Sequence, residues 1–326
     1  MRVHVVNSAT RPAIYHVTEP AWRAACERYP ELSTRLEVSF GDDGDERTQS
    51  LADAELVIGV PHDRVSLQQR APRLRWIHAT HAGVDGLLPL DWLPRGAVLT
   101  NNRGAHGAKV EQYLRMAYTL LHIRMTQIIA NQQAHRWQQL FSPSIIGRTA
   151  LVIGLGDLGA AAARAAKQLG LKVIGVRRHA KASHDADEVH TYDRLDTVLP
   201  DADFIVAAVP VTAETRGLLD RRRLDLLKPS ASLINIARAA IVDYEALAEK
   251  LRRGELAGAV VDVVEPEPLP ADSSLWDTPN LLITPHISCD DSEHYADITL
   301  DLWFANLACY VAGKPLKNAV DARLGY

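Results

Sequence analysis

Short, continuously apolar runs alternate with helical patterns through the middle of the chain. Between the first two runs, Leu158, Ala162, Ala165 and Leu169 recur at helical spacing, and Gly170 stands where a helix C-cap belongs. The pattern predicts six buried strands, at Thr149–Leu155, Leu171–Val176, Ala202–Val209, Ala231–Ala237, Leu256–Val264 and Asn280–Thr284. Buried strands that alternate with helices are typical of a parallel sheet covered on both faces. This part of the chain is therefore predicted to be a doubly wound α/β domain.

The first hundred residues repeat the same alternation more weakly. Four strands are predicted there, at Arg2–Val6, Ala54–Val60, Leu74–Thr80 and Ala97–Asn101. A helix that carries Val110, Leu114, Ala117 and Leu121 on one face follows and is expected to join two domains. The polar stretch Phe40–Glu46 predicts a solvated loop.

Composition narrows the class of protein. A chain of 326 residues suggests two domains, and its net charge of −4 provides no basic field for nucleic acid. The first residues, MRVHVV, predict a strand rather than a signal peptide, and no apolar run is long enough to cross a membrane. The three cysteines, Cys26, Cys289 and Cys309, are odd in number and widely spaced. We therefore expect no disulfide framework, no metal site and a reducing cytoplasm.

A glycine-rich turn stands between the first central strand and its helix. VIGLGDLG contains Gly154, Gly156 and Gly159 at the spacing G-x-G-x-x-G. In such a turn the first glycine allows a tight bend, the second lets the backbone approach a pyrophosphate, and the third lets the helix pack on the strand. Free N–H groups at the helix N-terminus then face the phosphates. The turn predicts a dinucleotide site.

The end of the next strand indicates which dinucleotide binds. An NAD site usually has an acidic residue there, about 20 residues after the glycines, to hold the ribose 2′-hydroxyl. This chain instead has Arg177 and Arg178, and the stretch Gly175–Ser183 contains no acid. Guanidinium groups pair with a phosphate through charge-assisted hydrogen bonds. The sequence therefore predicts a preference for NADP(H), with NAD(H) as the alternative.

Three later strands are followed by chemically versatile side chains. They are Arg238 in NIARAAIVD, Asp262 and Glu267 in VVDVVEPEPLP, and His286 in LLITPHIS. At the carboxyl ends of parallel strands, where ligands bind, these groups suit reduction of a 2-keto acid. The arginine can bind a carboxylate, the histidine can donate a proton, and a carboxylate can fix the imidazole tautomer. The residues alone leave Glu265 as plausible as Glu267 for the last role.

These motifs, with VP-x4-T at Val209–Thr215, LWDTPNLLITPHIS and the closing YVAGKPLKNAVD, resemble the D-isomer-specific 2-hydroxyacid dehydrogenase family over nearly the whole chain. The arginine pair is similar to that of NADP-preferring members, including glyoxylate and hydroxypyruvate reductases. The resemblance implies that Arg238 binds substrate, that Glu267 pairs with His286, and that His286 is the general acid. It also implies that Ala82, Gly83 and Val84, in HAGVD, bind the substrate carboxylate through their N–H groups. The implied cofactor contacts are Gly154, Leu155, Gly156, Asp157, Leu158, Gly159, Arg177, Arg178, Val209, Pro210, Thr215, Ile236, Ala237, Arg238, Asp262 and His286.

The resemblance further implies an α/β fold of two doubly wound Rossmann-like domains with parallel sheets and an active site in the cleft between them. Residues 1–103 and 293–326 would form the substrate-binding domain, and residues 104–292 the dinucleotide-binding domain. A homodimer is expected. The expected activity is NADPH-dependent reduction of a small 2-keto acid to a D-2-hydroxy acid. The alternatives are a phosphoglycerate dehydrogenase-like enzyme and a dinucleotide-sensing binding protein of the same fold.

Overall fold

The computed structural model describes residues 1–42 and 49–324. The chain divides into two compact units, Met1–Ala105 with Asp291–Tyr326, and His106–Asp290. Residues 43–46 of the predicted solvated loop lie outside the described residues. The remainder of that prediction is wrong, because Phe40–Asp42 lie in a strand.

The first unit contains a sheet of five parallel strands in the order β2-β1-β3-β4-β5. Val5, Ile58 and Trp76 bury one of its faces against α11, where Trp76 stacks on Trp303 at 5.4 Å between ring centroids. Val57 and Ile77 belong to the cluster on its other face. The elements are β1 (Arg2–Asn7), α1 (Glu19–Arg28), α2 (Pro30–Ser33), β2 (Glu37–Asp42), α3 (Gln49–Asp53), β3 (Leu56–Ile58), α4 (Leu67–Arg70), β4 (Trp76–His78), β5 (Val98–Thr100) and α11 (Tyr295–Val311).

Strand β2 was not predicted from the sequence. It pairs in parallel with β1, with Val3 opposite Val38 and Val5 opposite Phe40. None of its residues is fully buried, since it is the edge strand of the sheet. Its apolar residues are too few to give the continuous run that marks the buried strands, and its pairing with β1 depends on long-range contact.

The second unit contains a sheet of seven parallel strands in the order β12-β11-β10-β9-β6-β7-β8. One apolar cluster lies on each face, and α5 and α7 pack on the same face. The elements are α5 (Gly107–His122), α6 (Met125–Gln133), β6 (Thr149–Ile153), α7 (Asp157–Gln168), β7 (Lys172–Val176), β8 (Glu188–His190), α8 (Leu195–Val198), β9 (Phe204–Ala207), α9 (Arg221–Leu224), β10 (Ser232–Asn235), α10 (Tyr244–Arg253), β11 (Gly258–Val261) and β12 (Leu281–Ile283).

Local signals explain the ends of several helices. The Asp243 side chain accepts a hydrogen bond from the N–H of Ala246 and so begins α10, and Gly254 ends that helix with a φ of 69°. Gly170, with a φ of 77°, likewise follows α7. Helix α5 buries all four residues of the predicted apolar face. None of the helices in the described ranges is long and apolar enough to cross a membrane.

The two parallel sheets confirm the predicted fold class of two Rossmann-like α/β domains. Each predicted strand is present, although the structure shortens most of them by several residues. Within the second unit, β9, β10, β11 and β12 are neighbours that all run in one direction. Their carboxyl ends therefore lie at one edge of the sheet, and so do the side chains that follow them.

Candidate active site

The glycine turn after β6 has the geometry that a dinucleotide requires. A Cβ on Gly154 would lie 2.4 Å from the Ala208 carbonyl oxygen, and one on Gly159 would lie 1.7 Å from the Gly154 carbonyl oxygen. These two positions are closed to any side chain. A Cβ on Gly156, in contrast, would meet no atom within 4 Å. Gly156 therefore leaves open space at the N-terminus of α7, which fits the glycine that lets backbone approach a pyrophosphate.

The rest of the turn is held by the protein itself. Leu155 is buried in the α5–α7 cluster, the apolar cluster on the face of the seven-stranded sheet that α5 and α7 cover. Asp157 and Leu158 are the first residues of α7. The first helical bond of α7 runs from the Ala160 N–H to the Gly156 carbonyl. The N–H groups that precede Ala160 in the helix are thus directed outwards from its N-terminus.

The two arginines follow β7 directly but have different surroundings. Arg178 Nε donates to Glu214 Oε2 at 3.1 Å, so one guanidinium already pairs with a carboxylate. The backbone N–H of Arg177 donates to the His190 carbonyl at 3.0 Å, which fixes its main chain beside the end of β8. Arg177 makes no ion pair with the described acidic residues. The two predicted phosphate ligands are therefore adjacent in the chain yet unequal in electrostatic environment.

The turn after β9 contains Val209, Pro210 and Thr215. The Thr215 hydroxyl donates to the Pro210 carbonyl at 2.6 Å and accepts from the Thr212 N–H at 2.8 Å. Val209 is buried, and its side chain lies where a Cβ on Gly154 would fall. Thr215 therefore closes this turn on itself, and the buried Val209 holds the turn against the glycine loop.

Asp262, at the end of β11, organises the segment that carries His286. Its Oδ1 accepts from the Thr284 hydroxyl at 2.6 Å and from the Ile287 N–H at 2.9 Å, and its Oδ2 accepts from the Ser288 N–H at 3.0 Å. Its carbonyl accepts from the His286 N–H at 2.9 Å. Asp262 is only 1% exposed, so these bonds compensate the burial of its charge.

His286 has a φ of 56°, in the left-handed region that non-glycine residues rarely adopt. The bonds from its own N–H and from the next two N–H groups to Asp262 hold this conformation. Strain of this kind persists only where the surroundings determine the backbone, and it is common at functional sites.

Glu267 and His286 are brought together by the fold. His286 Nδ1 donates to Glu267 Oε2 at 2.9 Å, and the other oxygen, Oε1, accepts from the Val264 N–H at 3.1 Å. Glu265, which the residues alone left as an alternative, makes no comparable bond to any residue that the structure describes. Both partners of the pair are partly exposed, at 45% for His286 and 40% for Glu267. The carboxylate therefore fixes the Nδ1–H tautomer and leaves Nε2 for a ligand.

Arg238 lies in the loop after β10, and β10 is the neighbour of β11, which Asp262 directly follows. Its Nη1 donates to the Ala237 carbonyl at 2.8 Å, and Ala237 and Ile236 beside it are buried. Asn235 Nδ2 donates to the Arg238 carbonyl and to the Tyr244 hydroxyl, both at 3.0 Å, and that hydroxyl donates to the Val263 carbonyl at 2.5 Å. Sequence reasoning missed Asn235 and Tyr244, which connect the Arg238 loop to Val263 at the end of the neighbouring strand, because no motif marks their role.

The HAGVD loop lies in the first unit, after β4. Three hydrogen bonds to its backbone carbonyl groups hold the loop in shape. Asn101 Nδ2 donates to the Ala82 carbonyl at 2.7 Å, and His81 Nδ1 donates to the Gly83 carbonyl at 2.5 Å. The Leu87 N–H donates to the Val84 carbonyl at 2.9 Å. Among the described residues, the N–H groups of positions 82, 83 and 84 have no acceptor. Three successive unbonded N–H groups can bind an anion such as a carboxylate.

Two histidines and a cysteine have buried surroundings that shift their pKa values. Burial lowers the pKa of His78 to about 4, and its Nδ1 bonds the Thr100 hydroxyl at 2.8 Å. Burial also lowers the pKa of His106, whose Nδ1 donates to the Cys289 carbonyl at 3.2 Å. Burial raises the pKa of the Cys289 thiol to about 12. That thiol packs against the α5–α7 cluster and is not a nucleophile at neutral pH.

The chain is similar to proteins of known activity. Residues 116–288, more than half of the chain, match the sequence model described as D-isomer specific 2-hydroxyacid dehydrogenase, NAD binding domain. The glyoxylate/hydroxypyruvate reductase B of Pectobacterium atrosepticum is 32% identical over 286 residues, which are 84% of this chain and 88% of that protein.

Two solved structures resemble the whole chain. An NADPH-dependent glyoxylate/hydroxypyruvate reductase from Sinorhizobium meliloti, in complex with NADP and sulfate, has a TM-score of 0.84 and 28% identity, with 100% of both chains covered. A D-isomer specific 2-hydroxyacid dehydrogenase from Xanthobacter autotrophicus, in complex with NADPH and MES, has a TM-score of 0.84 and 29% identity, with 99% of both chains covered. With the glycine turn and the Glu267–His286 pair, these matches show that the chain belongs to the D-isomer specific 2-hydroxyacid dehydrogenase family, whose members interconvert 2-keto and 2-hydroxy acids with a nicotinamide cofactor.

Proposed function

We propose that this chain is an NADPH-preferring reductase of small 2-keto acids of the glyoxylate and hydroxypyruvate type, with His286 as the general acid. The observation that carries the proposal is the 2.9 Å bond between His286 Nδ1 and Glu267 Oε2 at the edge of the sheet that also carries the glycine turn. The similarity to glyoxylate/hydroxypyruvate reductases supports the substrate class.

His286 gives a proton to the carbonyl oxygen of the substrate from Nε2. Because Nδ1–H is held by Glu267, the ring keeps one orientation and presents Nε2 to the substrate. Glu267 is itself held by the Val264 N–H, so the turn from Val264 to Glu267 positions the carboxylate that orients the His286 ring. The product is the D-2-hydroxy acid, as the family implies.

Arg238 binds the substrate carboxylate and polarises the carbonyl through its guanidinium. Its Nη1 donates to the Ala237 carbonyl, and a guanidinium has five N–H donors in a planar fork that suits a carboxylate. The N–H groups of Ala82, Gly83 and Val84 bind the same carboxylate in this proposal. Their lack of acceptors in the described structure supports this role.

The glycine turn and the N-terminus of α7 bind the pyrophosphate of NADP(H), and Arg177 with Arg178 binds the 2′-phosphate. The bound cofactor supplies the hydride. The open space at Gly156 supports the first contact, and the absence of an acid directly after β7 supports the second. The Arg178–Glu214 pair makes Arg177 the stronger phosphate ligand of the two.

The first unit is, in this proposal, the substrate-binding domain, and the second unit is the dinucleotide-binding domain. We also propose a cytoplasmic homodimer assembled through the second unit. The segment after α6 supports the dimer, since Trp137 is 95% exposed and Phe141 is 84% exposed. Large apolar side chains exposed together are typical of interaction surfaces.

A spectrophotometric assay tests the proposal. Glyoxylate, hydroxypyruvate, pyruvate and longer 2-keto acids are each offered with NADH and with NADPH, and the oxidation of the cofactor is followed. We expect turnover of the small 2-keto acids with a higher kcat/KM for NADPH. If the protein binds NADPH but turns over none of these acids, the enzyme proposal is wrong and a dinucleotide-sensing role is favoured.

A further inference from the structure

The first unit contains a cavity of about 270 Å³ at the carboxyl ends of its strands. Val6, Gly59 and Thr80, which end or follow β1, β3 and β4, contribute to its wall, and His81 of the HAGVD loop also lines it. Two arginines, Arg11 and Arg64, reach it from different loops. Among the described residues that line it, none is an aspartate or a glutamate. The cavity is therefore a concave, basic space whose wall includes His81, the residue that directly precedes the three unbonded N–H groups at positions 82–84.

Arg64 is held in place by neutral partners. Its Nη1 donates to the Gly86 carbonyl at 3.1 Å, and its guanidinium lies 5.7 Å from the ring centroid of Trp92. The adjacent acid, Asp63, is directed elsewhere: its Oδ2 accepts from the Ser66 hydroxyl at 2.7 Å and lies 3.5 Å from Arg70 Nη2. A guanidinium has five N–H donors, so Arg64 keeps its charge and most of its donors for another group.

Arg11 has a similar environment. Its guanidinium lies 5.8 Å from the ring centroid of Tyr15, and it forms no ion pair with the acidic residues that the structure describes. An aromatic ring orients a guanidinium without neutralising it. Two oriented cations without a carboxylate between them attract anions, and arginine suits planar carboxylates and phosphates best.

We propose that this cavity binds a second anionic group of the substrate, and that the preferred substrates are 2-keto acids with a carboxylate or a phosphate at the far end. The inference rests on the proposed function, in which the N–H groups of the HAGVD loop bind the first carboxylate. Because His81 belongs both to that loop and to the cavity wall, a short substrate can span the two sites.

Kinetics with matched substrates test the inference. Oxaloacetate and 2-oxoglutarate represent the carboxylates, 3-phosphohydroxypyruvate the phosphates, and 2-oxobutyrate and 2-oxovalerate are uncharged at the far end. We expect the wild-type kcat/KM for the best dianionic substrate to exceed that for its uncharged counterpart by about tenfold to a hundredfold, as for a hydrogen bond to a charged group. Comparison of kcat/KM between the dicarboxylate and the phosphorylated substrates shows whether the cavity binds a carboxylate or a phosphate.

Variants then locate the effect. Arg64→Gln and Arg11→Gln should each lower kcat/KM for the dianionic substrate about tenfold more than for glyoxylate. Arg23→Gln is the matched control, since Arg23 lies exposed on α1 outside the cavity lining and should leave the ratio unchanged.

The contrary outcomes separate the two proposals. Turnover of glyoxylate without any advantage for a second negative charge would overturn the role of the cavity and leave the reductase proposal standing. Absence of turnover with every 2-keto acid would overturn the reductase proposal first. The wild-type comparison alone is sufficient for this decision, so it stands even if a variant fails to fold.

Discussion

Glu267 and His286 are 19 residues apart in the chain, yet Glu267 Oε2 accepts a 2.9 Å hydrogen bond from Nδ1 of the His286 ring. The pair joins the loop after β11 to the loop after β12, and these strands are neighbours in the sheet. The imidazole is thereby oriented by a carboxylate, which is the arrangement that proton transfer from Nε2 requires.

Removing either partner should reduce turnover. We expect His286→Gln to lower kcat at least about a hundredfold, because positioned acid catalysis contributes about 10²- to 10⁴-fold. Glu267→Ala should lower kcat by a smaller factor, since the acid remains but loses its orientation. Equilibrium binding of NADPH should change little in both variants. Glu265→Gln, in the same turn but without the bond to His286, is the control, and near-normal turnover by His286→Gln would refute the acid role.

Alanine at either outer glycine of the cofactor turn, Gly154 or Gly159, should destabilise the protein more than alanine at the middle glycine, Gly156. Gly159→Ala should unfold or strongly destabilise the second unit, because its Cβ would fall 1.7 Å from the Gly154 carbonyl oxygen. Gly156→Ala has open space and should cost only about 1 kcal/mol as a changed N-cap residue.

If the turn binds the pyrophosphate, Gly156→Ala should nevertheless weaken NADPH binding at least about tenfold, the equivalent of about 1.4 kcal/mol. Thermal unfolding and fluorescence titration with NADPH measure the two effects separately. Unchanged NADPH affinity in the folded Gly156→Ala protein would contradict the assigned pyrophosphate contact.

Cofactor preference should depend on Arg177 and on the pair Arg178–Glu214. Arg177→Asp should shift the ratio of kcat/KM from NADPH towards NADH, because a carboxylate repels the 2′-phosphate. Glu214→Gln should act in the opposite direction, because it removes the carboxylate that competes with the 2′-phosphate for the Arg178 guanidinium, 3.1 Å from Oε2. Both ratios come from initial rates with the two cofactors. Selectivity that is the same in all three proteins would exclude a phosphate clamp at these arginines.

Asp262 should affect both stability and turnover, because its hydrogen bonds hold the loop that contains His286 in shape. In Asp262→Asn, one of the two carboxylate oxygens becomes an NH₂ group that cannot accept from an N–H, so at least one bond of the set is lost. A lost hydrogen bond to a charged group costs about 1.5–3 kcal/mol. We expect a lower melting temperature together with a lower kcat. A variant of full stability and activity would show that the loop does not depend on these bonds.

The proposed dimer should depend on the segment after α6. Replacing Trp137 and Phe141 with serine should yield a monomer in sedimentation velocity, because these side chains are 95% and 84% exposed in the isolated chain. Val65→Ser is the control, since Val65 is 96% exposed but lies in the first unit. A dimer that survives the double substitution would place the interface elsewhere.

The sequence by itself determined the parallel α/β class, the glycine turn and the strand ends that carry Arg238, Asp262 and His286. These features are local: an apolar run makes a buried strand, and the residue after a parallel strand lies at the edge where ligands bind. The two arginines after β7 were visible for the same reason, since their position is counted directly from the glycines.

The residues alone left Glu265 and Glu267 open, and the tertiary structure shows which of the two contacts His286. Only the tertiary structure paired Arg178 with Glu214 and brought Arg11 and Arg64 to one cavity. It also revealed the edge strands β2 and β8, whose residues form no continuous apolar run. Each of these outcomes depends on contact between segments that are distant in the chain or on the direction of a side chain within a turn. Spacing along a sequence specifies neither, because both are set by how the folded loops pack against one another.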